Sequence, residues 1–287
     1  MGCLNANQGF SHWFGNIHLS GPCNRSCYFC IGQHMMALDP MNTLDQWPLP
    51  GIHDFADECV RRGITDINLT GTNTDPLLYQ HSDRLAEYLR SRIDGLRLGI
   101  RTNGVAHTHR LASFDKASFS IASFDRKVNE AIMGGPPSDL QELVRVWTRN
   151  CGRDVDDLKV NIVLCPENFD EIEDSIWRIA QTGIRRVNLR EPYGQPHLGD
   201  PMKDTIAAVR RDRLGMPSYE LWGVSVTYWD VHYVHVESVN LYANGRVSLD
   251  YPITRGHDDS GNVLDQSNFN TSGRVTPQWV TVGATND

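Results

Sequence analysis

Two kinds of segment alternate from residue 14 to about residue 192. Short apolar runs, typical of buried strands, are separated by stretches whose apolar residues recur at helical spacing, as Ile172, Ile176 and Ile179 do. The predicted strands are Phe14–Leu19, Asp66–Thr70, Leu96–Arg101, Ala117–Ala122, Leu158–Leu164 and Arg186–Arg190. The predicted helices are His53–Arg62, Asp83–Ile93, Thr108–Ser113, Asp139–Thr148 and Phe169–Thr182.

Repeated strand–helix units with short connections predict an α/β fold with a parallel sheet and right-handed crossovers. Six such units predict a partial (β/α)6 barrel of the TIM type or a strongly curved open sheet. In parallel α/β folds the functional groups gather at the carboxyl ends of the strands. We therefore expect the functional site at that edge of the sheet.

The pattern changes after about Gly194. Asp204–Arg213 predicts a short charged helix, and the residues after Gly256 are rich in Asp, Ser, Asn, Gly and Thr, which predicts mostly irregular structure up to Asp287. Three further strands are predicted at Tyr219–Tyr228, Val234–Tyr242 and Val247–Tyr251, the last two joined by a hairpin turn at Ala243-Asn244-Gly245-Arg246. We expect a barrel core over residues 1–200 and a short β-rich C-terminal cap over residues 201–287.

Composition narrows the class of protein. Over 287 residues, 40% are hydrophobic and 22% are charged, which is ordinary for a soluble globular protein. The formal charge of −8 argues against a nucleic-acid partner held by a broad basic surface. No apolar run approaches the length that spans a membrane, and the N-terminus has no basic-then-apolar signal pattern. Seven cysteines, an odd number, do not form a disulfide framework, so we expect a reducing, cytoplasmic setting.

Three of the cysteines lie in one short segment, Cys23-Asn24-Arg25-Ser26-Cys27-Tyr28-Phe29-Cys30, directly after the first predicted strand. A loop this short can direct three thiolates at one centre, and thiolates are the ligands of iron–sulfur clusters. A zinc site completed by His34 or by a distant cysteine is the alternative. Cys59, Cys151 and Cys165 are expected to be buried apolar residues rather than ligands.

The cysteine spacing, with an aromatic residue just before Cys30, resembles the signature of the radical S-adenosylmethionine (radical SAM) superfamily. The nearest resemblance is to its molybdenum-cofactor GTP-cyclase and SPASM-type branch, over about residues 14–194. The resemblance implies that Cys23, Cys27 and Cys30 hold a 4Fe–4S cluster whose open iron is chelated by S-adenosylmethionine. It also implies that an electron, from a donor such as flavodoxin or ferredoxin, cleaves the sulfonium to give a 5′-deoxyadenosyl radical that removes a hydrogen atom from the substrate.

The other strand ends resemble family motifs as well. The segment Asn68–Leu78 resembles the Gly-Gly-Glu-Pro segment that holds the methionine amino group, with Asp75 in place of glutamate. Arg101–Gly104 resembles the Thr-Asn-Gly end of the third strand, and Ser118–Asp125 resembles the Ser-Leu-Asp end of the fourth. The resemblance implies that Phe29 lies beside the adenine and that Ser120 or Ser123 meets the ribose. Arg190 is implied at the methionine carboxylate. The other cofactor-binding residues implied are Gly71, Thr72, Asn73 and Asp75 at the amino group, together with Asn103 and Asn161.

For Ser120, Ser123 and Asn161, hydrogen bonds to nearby backbone groups are an equal alternative to contact with the cofactor. Because no cysteine follows Cys165, we expect a single cluster, and the segment before the first strand is short for a peptide-leader domain. The expected function is hydrogen abstraction from a small polar metabolite, with a sugar, nucleoside or nucleotide derivative favoured. Peptide or protein modification, and a non-catalytic zinc-binding module, are the alternatives. Polar residues that could meet the substrate are His34, Arg101, Tyr193, His197, Tyr228, Asp230 and Asp250.

Overall fold

The protein is described by a computed structural model that covers residues 13–32, 41–192, 198–204, 210–211, 216–229, 237–249, 263–265 and 278–280. Six strands lie within two residues of the positions that the apolar runs predict. They are β1 (Phe14–Leu19), β2 (Asp66–Gly71), β3 (Arg97–Thr102), β4 (Lys116–Ser120), β5 (Leu158–Val163) and β6 (Arg186–Arg190).

The helices of the described residues pack on one side of these strands. They are α1 (Ile52–Arg61), α2 (Ser82–Arg92), α3 (Arg126–Met133), α4 (Leu140–Arg145) and α5 (Ile172–Gln181). Thr108–Ser113, predicted as a helix, is a 3₁₀-helix, as are Pro76–Leu78, Val155–Asp157 and Phe169–Glu171, and α4 continues as a π-turn over Val146–Asn150. No helix in the described part of the chain is long and apolar enough to cross a membrane.

One helix, α3, was not predicted. It has only eight residues, but its ends carry helix signals. The Asp125 carboxylate accepts from the backbone N–H groups of Lys127 and Val128 at 2.8 and 3.0 Å, and Gly134 ends the helix with φ of 72°.

Strands from the last third of the chain extend the sheet at both edges. The order across the sheet is β11-β10-β1-β2-β3-β4-β5-β6-β9-β8-β7, and the eight neighbouring strands from β10 to β9 are parallel. The predicted partial (β/α)6 barrel is therefore confirmed, and β9 and β10 lengthen its parallel sheet. The added strands are β7 (Arg210–Arg211), β8 (Pro217–Leu221), β9 (Val224–Trp229), β10 (Ser238–Leu241) and β11 (Val247–Ser248), while β12 (Val263–Asp265) and β13 (Gln278–Val280) pair separately.

Three details of the later region differ from the prediction. The single strand expected over Tyr219–Tyr228 is a hairpin, because the chain turns at Trp222 and Gly223 with φ of 49° and 72°. The helix expected over Asp204–Arg213 is wrong at Arg210–Arg211, which pair with β8 in an antiparallel ladder. The segment expected to be irregular after Gly256 contains the β12–β13 pair, and its other residues lie outside the described part of the chain.

The hairpin turn at residues 243–246 is confirmed. Gly245 has φ of 86°, and the Tyr242 N–H donates to the Arg246 carbonyl at 2.9 Å. The turn joins β10 to β11 in the antiparallel register Leu241 to Val247.

The two faces of the parallel sheet have opposite character. The outer face meets the helices and is apolar: Leu69, Ile100, Phe119, Val160 and Leu189 are all buried in the main core. Residues of the other parity form what we call the inner face, and this face is largely polar. It includes His18, Thr70, Arg101, Ser120, Asn161 and Arg190, which all line one cavity.

Candidate active site

The cavity has a volume of about 390 Å³ and lies at the carboxyl edge of β1 to β6, where parallel strands were expected to gather functional groups. It brings together all but one of the residues that the sequence implied for the cluster and the cofactor. Those that line it are Cys23, Cys27, Cys30, Phe29, Gly71, Thr72, Asn73, Asp75, Asn103, Ser120, Asn161 and Arg190.

Ser123 is the exception. Its side chain is buried and its Oγ donates to Glu171 Oε2 at 2.6 Å, while the Asp125 N–H donates to the same Oγ at 2.9 Å. These bonds fix the connection between β4 and α3. Of the two serines proposed for the ribose, Ser120 alone faces the cavity.

The cysteine loop, residues 23–30, is held by the C-terminal end of α3. The backbone N–H of Ser26 donates to the Met133 carbonyl at 3.3 Å, and that of Tyr28 donates to the Ile132 carbonyl at 3.2 Å. On the other side of the loop, the Tyr28 hydroxyl donates to Glu167 Oε2 at 2.8 Å. The helix that the sequence did not reveal is thus the platform for the thiols.

This platform leaves no room beside the loop at Gly134. A Cβ added there would lie 2.0 Å from Ser26 Oγ, and the φ of 72° is already unfavourable for an L-residue. We expect Gly134→Ala to lower the free energy of unfolding by about 1–2 kcal/mol and to lower the iron bound per chain after cluster reconstitution. Denaturant unfolding and iron analysis measure the two effects.

Gly63 provides the matched control. It follows α1 with φ of 65°, and a Cβ there would meet nothing within 4 Å. Gly63→Ala is expected to cost similar stability without changing the iron content. Equal iron in the two variants would show that contact between α3 and the loop does not position the thiols.

The three thiols face the cavity from different points of the loop. Cys27 Sγ lies 3.8 Å from the Met133 carbonyl and Cys30 Sγ lies 3.6 Å from the Thr72 carbonyl. The pKa of Cys27 is raised to about 12, chiefly by burial and also by the nearby Cys30 and Cys23, whose thiolate charges would repel its own. In the described part of the chain, no group of three or more Cys, His, Asp or Glu side chains is arranged to hold a single metal ion.

This donor set fits a 4Fe–4S cluster. Three thiols on one short loop share one cavity, and a bound iron centre removes their protons, since metal coordination requires the thiolate form. A zinc site would need a fourth ligand. Among the described residues that line the cavity, the only further cysteine or histidine is His18, whose Nε2 lies 3.3 Å from Asn240 Oδ1, and His34 lies outside the described residues.

The loop after β2 is tied through Asn73 to the residues between β1 and the cysteine loop. Its Oδ1 accepts from Ser20 Oγ at 2.9 Å and from the Gly21 N–H at 3.1 Å. Gly71 makes the turn possible, because a Cβ there would lie 1.8 Å from the Thr74 carbonyl oxygen. The backbone of this segment therefore approaches the thiols closely, with little side-chain bulk in between.

Asp75 is buried, and its carboxylate joins the ends of β2 and β3. It accepts from the Leu77 N–H at 2.9 Å, from Thr102 Oγ1 at 2.7 Å and from the Asn103 N–H at 2.6 Å. Burial raises the pKa of Asp75, and the hydrogen bonds from Asn103 and Thr102 oppose that shift because they favour the charged form. Asn103 in turn donates to Asn24 Oδ1 at 2.8 Å, which links this network to the cysteine loop.

Sequence reasoning missed His18, which lines the cavity from β1. The pKa of His18 is lowered to about 4, chiefly by burial and also by the positive charge of Arg101, although the hydrogen bond with Asn240 opposes the shift. The ring is therefore neutral near pH 7. The ring is stacked on Tyr242 with 5.2 Å between centroids. The signal was present: polar Asn16 and His18 alternate with buried apolar residues in β1.

The residues suggested for substrate contact divide into three groups. Arg101 lines the cavity. Tyr228 is buried away from it and donates to Glu191 Oε1 at 2.8 Å. The others, His34, Tyr193, His197, Asp230 and Asp250, lie outside the described residues.

Of the three cysteines predicted to be buried apolar residues, Cys59 and Cys165 are buried and Cys151 is half-buried. Cys59 is buried in the main core, and Cys165 is buried in a small cluster with Ala122, Ile132 and Met133. Phe29 packs against the same small cluster, and Cys151 packs against the main core.

Comparisons with known proteins concern most of the barrel. The family model described as "Radical SAM superfamily" matches residues 17–177. No curated protein matches the chain.

Several solved structures are similar to the chain. Streptococcus suis SuiB is 17% identical, with a TM-score of 0.49 over 66% of this chain and 41% of SuiB. Native anSMEcpe with bound AdoMet is 9% identical, with a TM-score of 0.47 over 65% of this chain and 55% of its own. Coproporphyrinogen III oxidase (HemN) from Escherichia coli is 13% identical, with a TM-score of 0.42 over 65% of this chain and 45% of its own. The match thus spans about two fifths of SuiB and about half of the other two proteins.

Proposed function

The chain belongs to the radical SAM superfamily, and we propose that it is an enzyme that removes a hydrogen atom from a small polar substrate. The superfamily uses a 4Fe–4S cluster and S-adenosylmethionine. When bound, these two groups supply reductive cleavage of the sulfonium and a carbon-centred radical that takes the hydrogen atom. The observation that carries the proposal is that Cys23, Cys27 and Cys30 face one cavity together with the strand-end residues implied for the cofactor.

Each group of cavity residues has a distinct part in this proposal. The three cysteines hold the cluster, and the backbone around Gly71, Thr72 and Asn73 lies beside them to receive the methionine amino group. Arg190 pairs with the methionine carboxylate, because a guanidinium matches a carboxylate in shape and charge. Phe29 lies beside the adenine, and Ser120 with Asn161 and Asn103 orients the remaining polar edges.

The inner face also supports a polar substrate. A TIM barrel is ordinarily filled by bulky apolar side chains, whereas this sheet presents Asn16, His18, Thr70 and Asn188 on its inner face. His18 is held neutral, so it can orient a substrate by hydrogen bonding without adding charge. A sugar, nucleoside or nucleotide derivative has the density of polar groups that this face can pair.

Two further assignments belong to the same proposal. The motifs at the strand ends favour the molybdenum-cofactor GTP-cyclase and SPASM-type branch, with a single cluster in this chain. The electron comes from an external one-electron donor, such as flavodoxin or ferredoxin, in a reducing cytoplasm that keeps the thiols free.

The substrate class can be tested by deuterium transfer. The anaerobically reconstituted chain is given S-adenosylmethionine, dithionite and a panel of deuterated sugars, nucleosides and nucleotides, beside a panel of deuterated peptides. We expect deuterium in 5′-deoxyadenosine from a member of the first panel. Transfer from peptides alone would replace this proposal with peptide modification.

A further inference from the structure

The inner face carries far more positive than negative charge. Within β1 to β6, the single acidic residue is Asp66. The basic residues of the same parity are Arg97, Arg101, Lys116, Lys159, Arg186 and Arg190. A concave surface with this imbalance attracts anions, because its walls focus the field into the space between them.

Most of the cations near the amino ends of the strands, away from the cavity, pair with a nearby carboxylate or carbonyl group. Lys116 forms an ion pair with Asp66, Arg97 Nη2 lies 2.7 Å from Asp157 Oδ1, and Arg186 donates to the Asp156 carbonyl. Lys159 differs: nowhere in the described part of the chain does its ammonium form an ion pair or hydrogen bond. Ser118 likewise forms no side-chain hydrogen bond with a described residue.

The sheet register places these groups side by side. Arg101 is paired with Ser118, and Ser118 is paired with Lys159. Val160 is paired with Val187, so Lys159 stands opposite Arg186. Neighbouring strands are about 4.8 Å apart, so the ammonium, the hydroxyl and the guanidinium of Arg101 can reach one small ligand.

Lys159, Ser118 and Arg101 form a row across the inner face, and this row lies directly beneath the candidate active site. Lys159 and Ser118 each precede, by two residues on the same strand, an inner-face residue that lines the cavity, namely Asn161 and Ser120. Arg101 belongs both to the row and to the cavity lining. A group bound by the row would therefore anchor a molecule whose other end extends up into the cavity.

We propose that Lys159, Ser118 and Arg101 form an anion-binding site at the base of the cavity, and that it holds a phosphate or carboxylate group of the substrate. The anion site stands on the described geometry alone, and its assignment to the substrate rests on the proposed function. The partner of the Lys159 ammonium would be the ligand itself, through charge-assisted hydrogen bonds.

The protonation of Lys159 provides a signature for this site. The pKa of Lys159 is lowered to about 7, chiefly by burial and also by the charges of Arg101, Arg190, Arg186 and Lys116. An anion favours the charged ammonium, so binding above that pKa must bring a proton. The groups that face Lys159 from the neighbouring strands are these four cations, and Asp66 is already paired with Lys116. Affinity should therefore fall as the pH rises above 7, by at most about tenfold per pH unit.

The test uses the full, reconstituted chain and isothermal titration calorimetry with three probes: sulfate, pyrophosphate and succinate. Sulfate keeps its charge across the range from about pH 6.5 to about pH 8.5, so any change in its affinity reports on the protein. We expect binding to the natural chain to be at least about tenfold tighter than to Lys159→Gln, and to weaken with rising pH in the natural chain alone. Exposed Lys127 supplies the control, and Lys127→Gln should bind like the natural chain.

Thermal unfolding separates an anion site from a structural role. Lys159→Gln removes one charge from a row of like charges, so its melting temperature should equal or exceed that of the natural chain. Equal sulfate affinity in Lys159→Gln and the natural chain, or no binding of any probe, overturns the site. Tighter binding of pyrophosphate than of succinate identifies a phosphorylated substrate, and the reverse order a carboxylate.

Failure of the anion-binding site and failure of the proposed function give different results. Calorimetry does not depend on the cleavage of S-adenosylmethionine. Lys159-dependent anion binding without 5′-deoxyadenosine formation would overturn the proposed function and leave the site standing. Normal 5′-deoxyadenosine formation without Lys159-dependent binding would overturn the site alone.

Discussion

Cys27→Ala is expected to abolish the visible absorbance of the reconstituted cluster and to reduce 5′-deoxyadenosine formation by more than about 100-fold. That loss exceeds what removal of a hydrogen-bond partner of a metal ligand costs, which is up to about 100-fold, because a ligand itself is lost. Cys27 is the middle thiol of the loop and lies against the end of α3. Absorbance spectra and iron and sulfide analysis after anaerobic reconstitution measure the first effect.

Cys151→Ala is the matched control. Cys151 is half-buried against the main core and does not line the cavity. It should keep the full cluster and the full rate. A Cys27→Ala chain that retained the absorbance of the cluster would contradict the assignment of this ligand.

Asp75→Asn is expected to lower the free energy of unfolding by about 2–4 kcal/mol, because the amide can accept from only one side of the network. The natural carboxylate accepts from Leu77, Thr102 and Asn103 through both oxygens. An amide nitrogen in place of one oxygen would face at least one buried donor, and each buried donor left unsatisfied costs about 1–3 kcal/mol. Urea unfolding of the natural and variant chains measures the difference.

The same substitution should weaken the binding of S-adenosylmethionine, since Asn103 carries the network on to Asn24 in the cysteine loop. Asp94→Asn is the control, because Asp94 is exposed at the end of α2. It should change stability by less than about 0.5 kcal/mol. An Asp75→Asn chain as stable as the natural one would show that this carboxylate does not join the ends of β2 and β3.

The sequence was sufficient for the parallel barrel because buried apolar residues recur at every second position of its strands and helical periods separate the strands. It also located the site, since the residues at strand ends must converge in a parallel sheet. It missed α3, which has only eight residues, although the cap at Asp125 and the glycine at Gly134 mark its two ends. The hairpin at Trp222 and Gly223 was missed because its turn interrupts an otherwise strand-like run.

The direction and partners of individual side chains also could not be predicted from the sequence. Ser120 and Ser123 are equivalent as sequence, but Ser123 lies beyond the end of β4, where its hydroxyl is taken by Glu171. Asp75 was expected at the amino group of the cofactor. In the structure its carboxylate accepts hydrogen bonds from Leu77, Thr102 and Asn103. The surroundings of Lys159 follow only from strand register, which brings distant segments together on the inner face.

The measurement that tests the central claim most directly is the yield of 5′-deoxyadenosine from S-adenosylmethionine and dithionite, with the anaerobically reconstituted chain. We predict a brown protein with one 4Fe–4S cluster that forms 5′-deoxyadenosine and methionine in equal amounts, and none of either from Cys27→Ala. A colourless protein that binds zinc and forms no 5′-deoxyadenosine would contradict it.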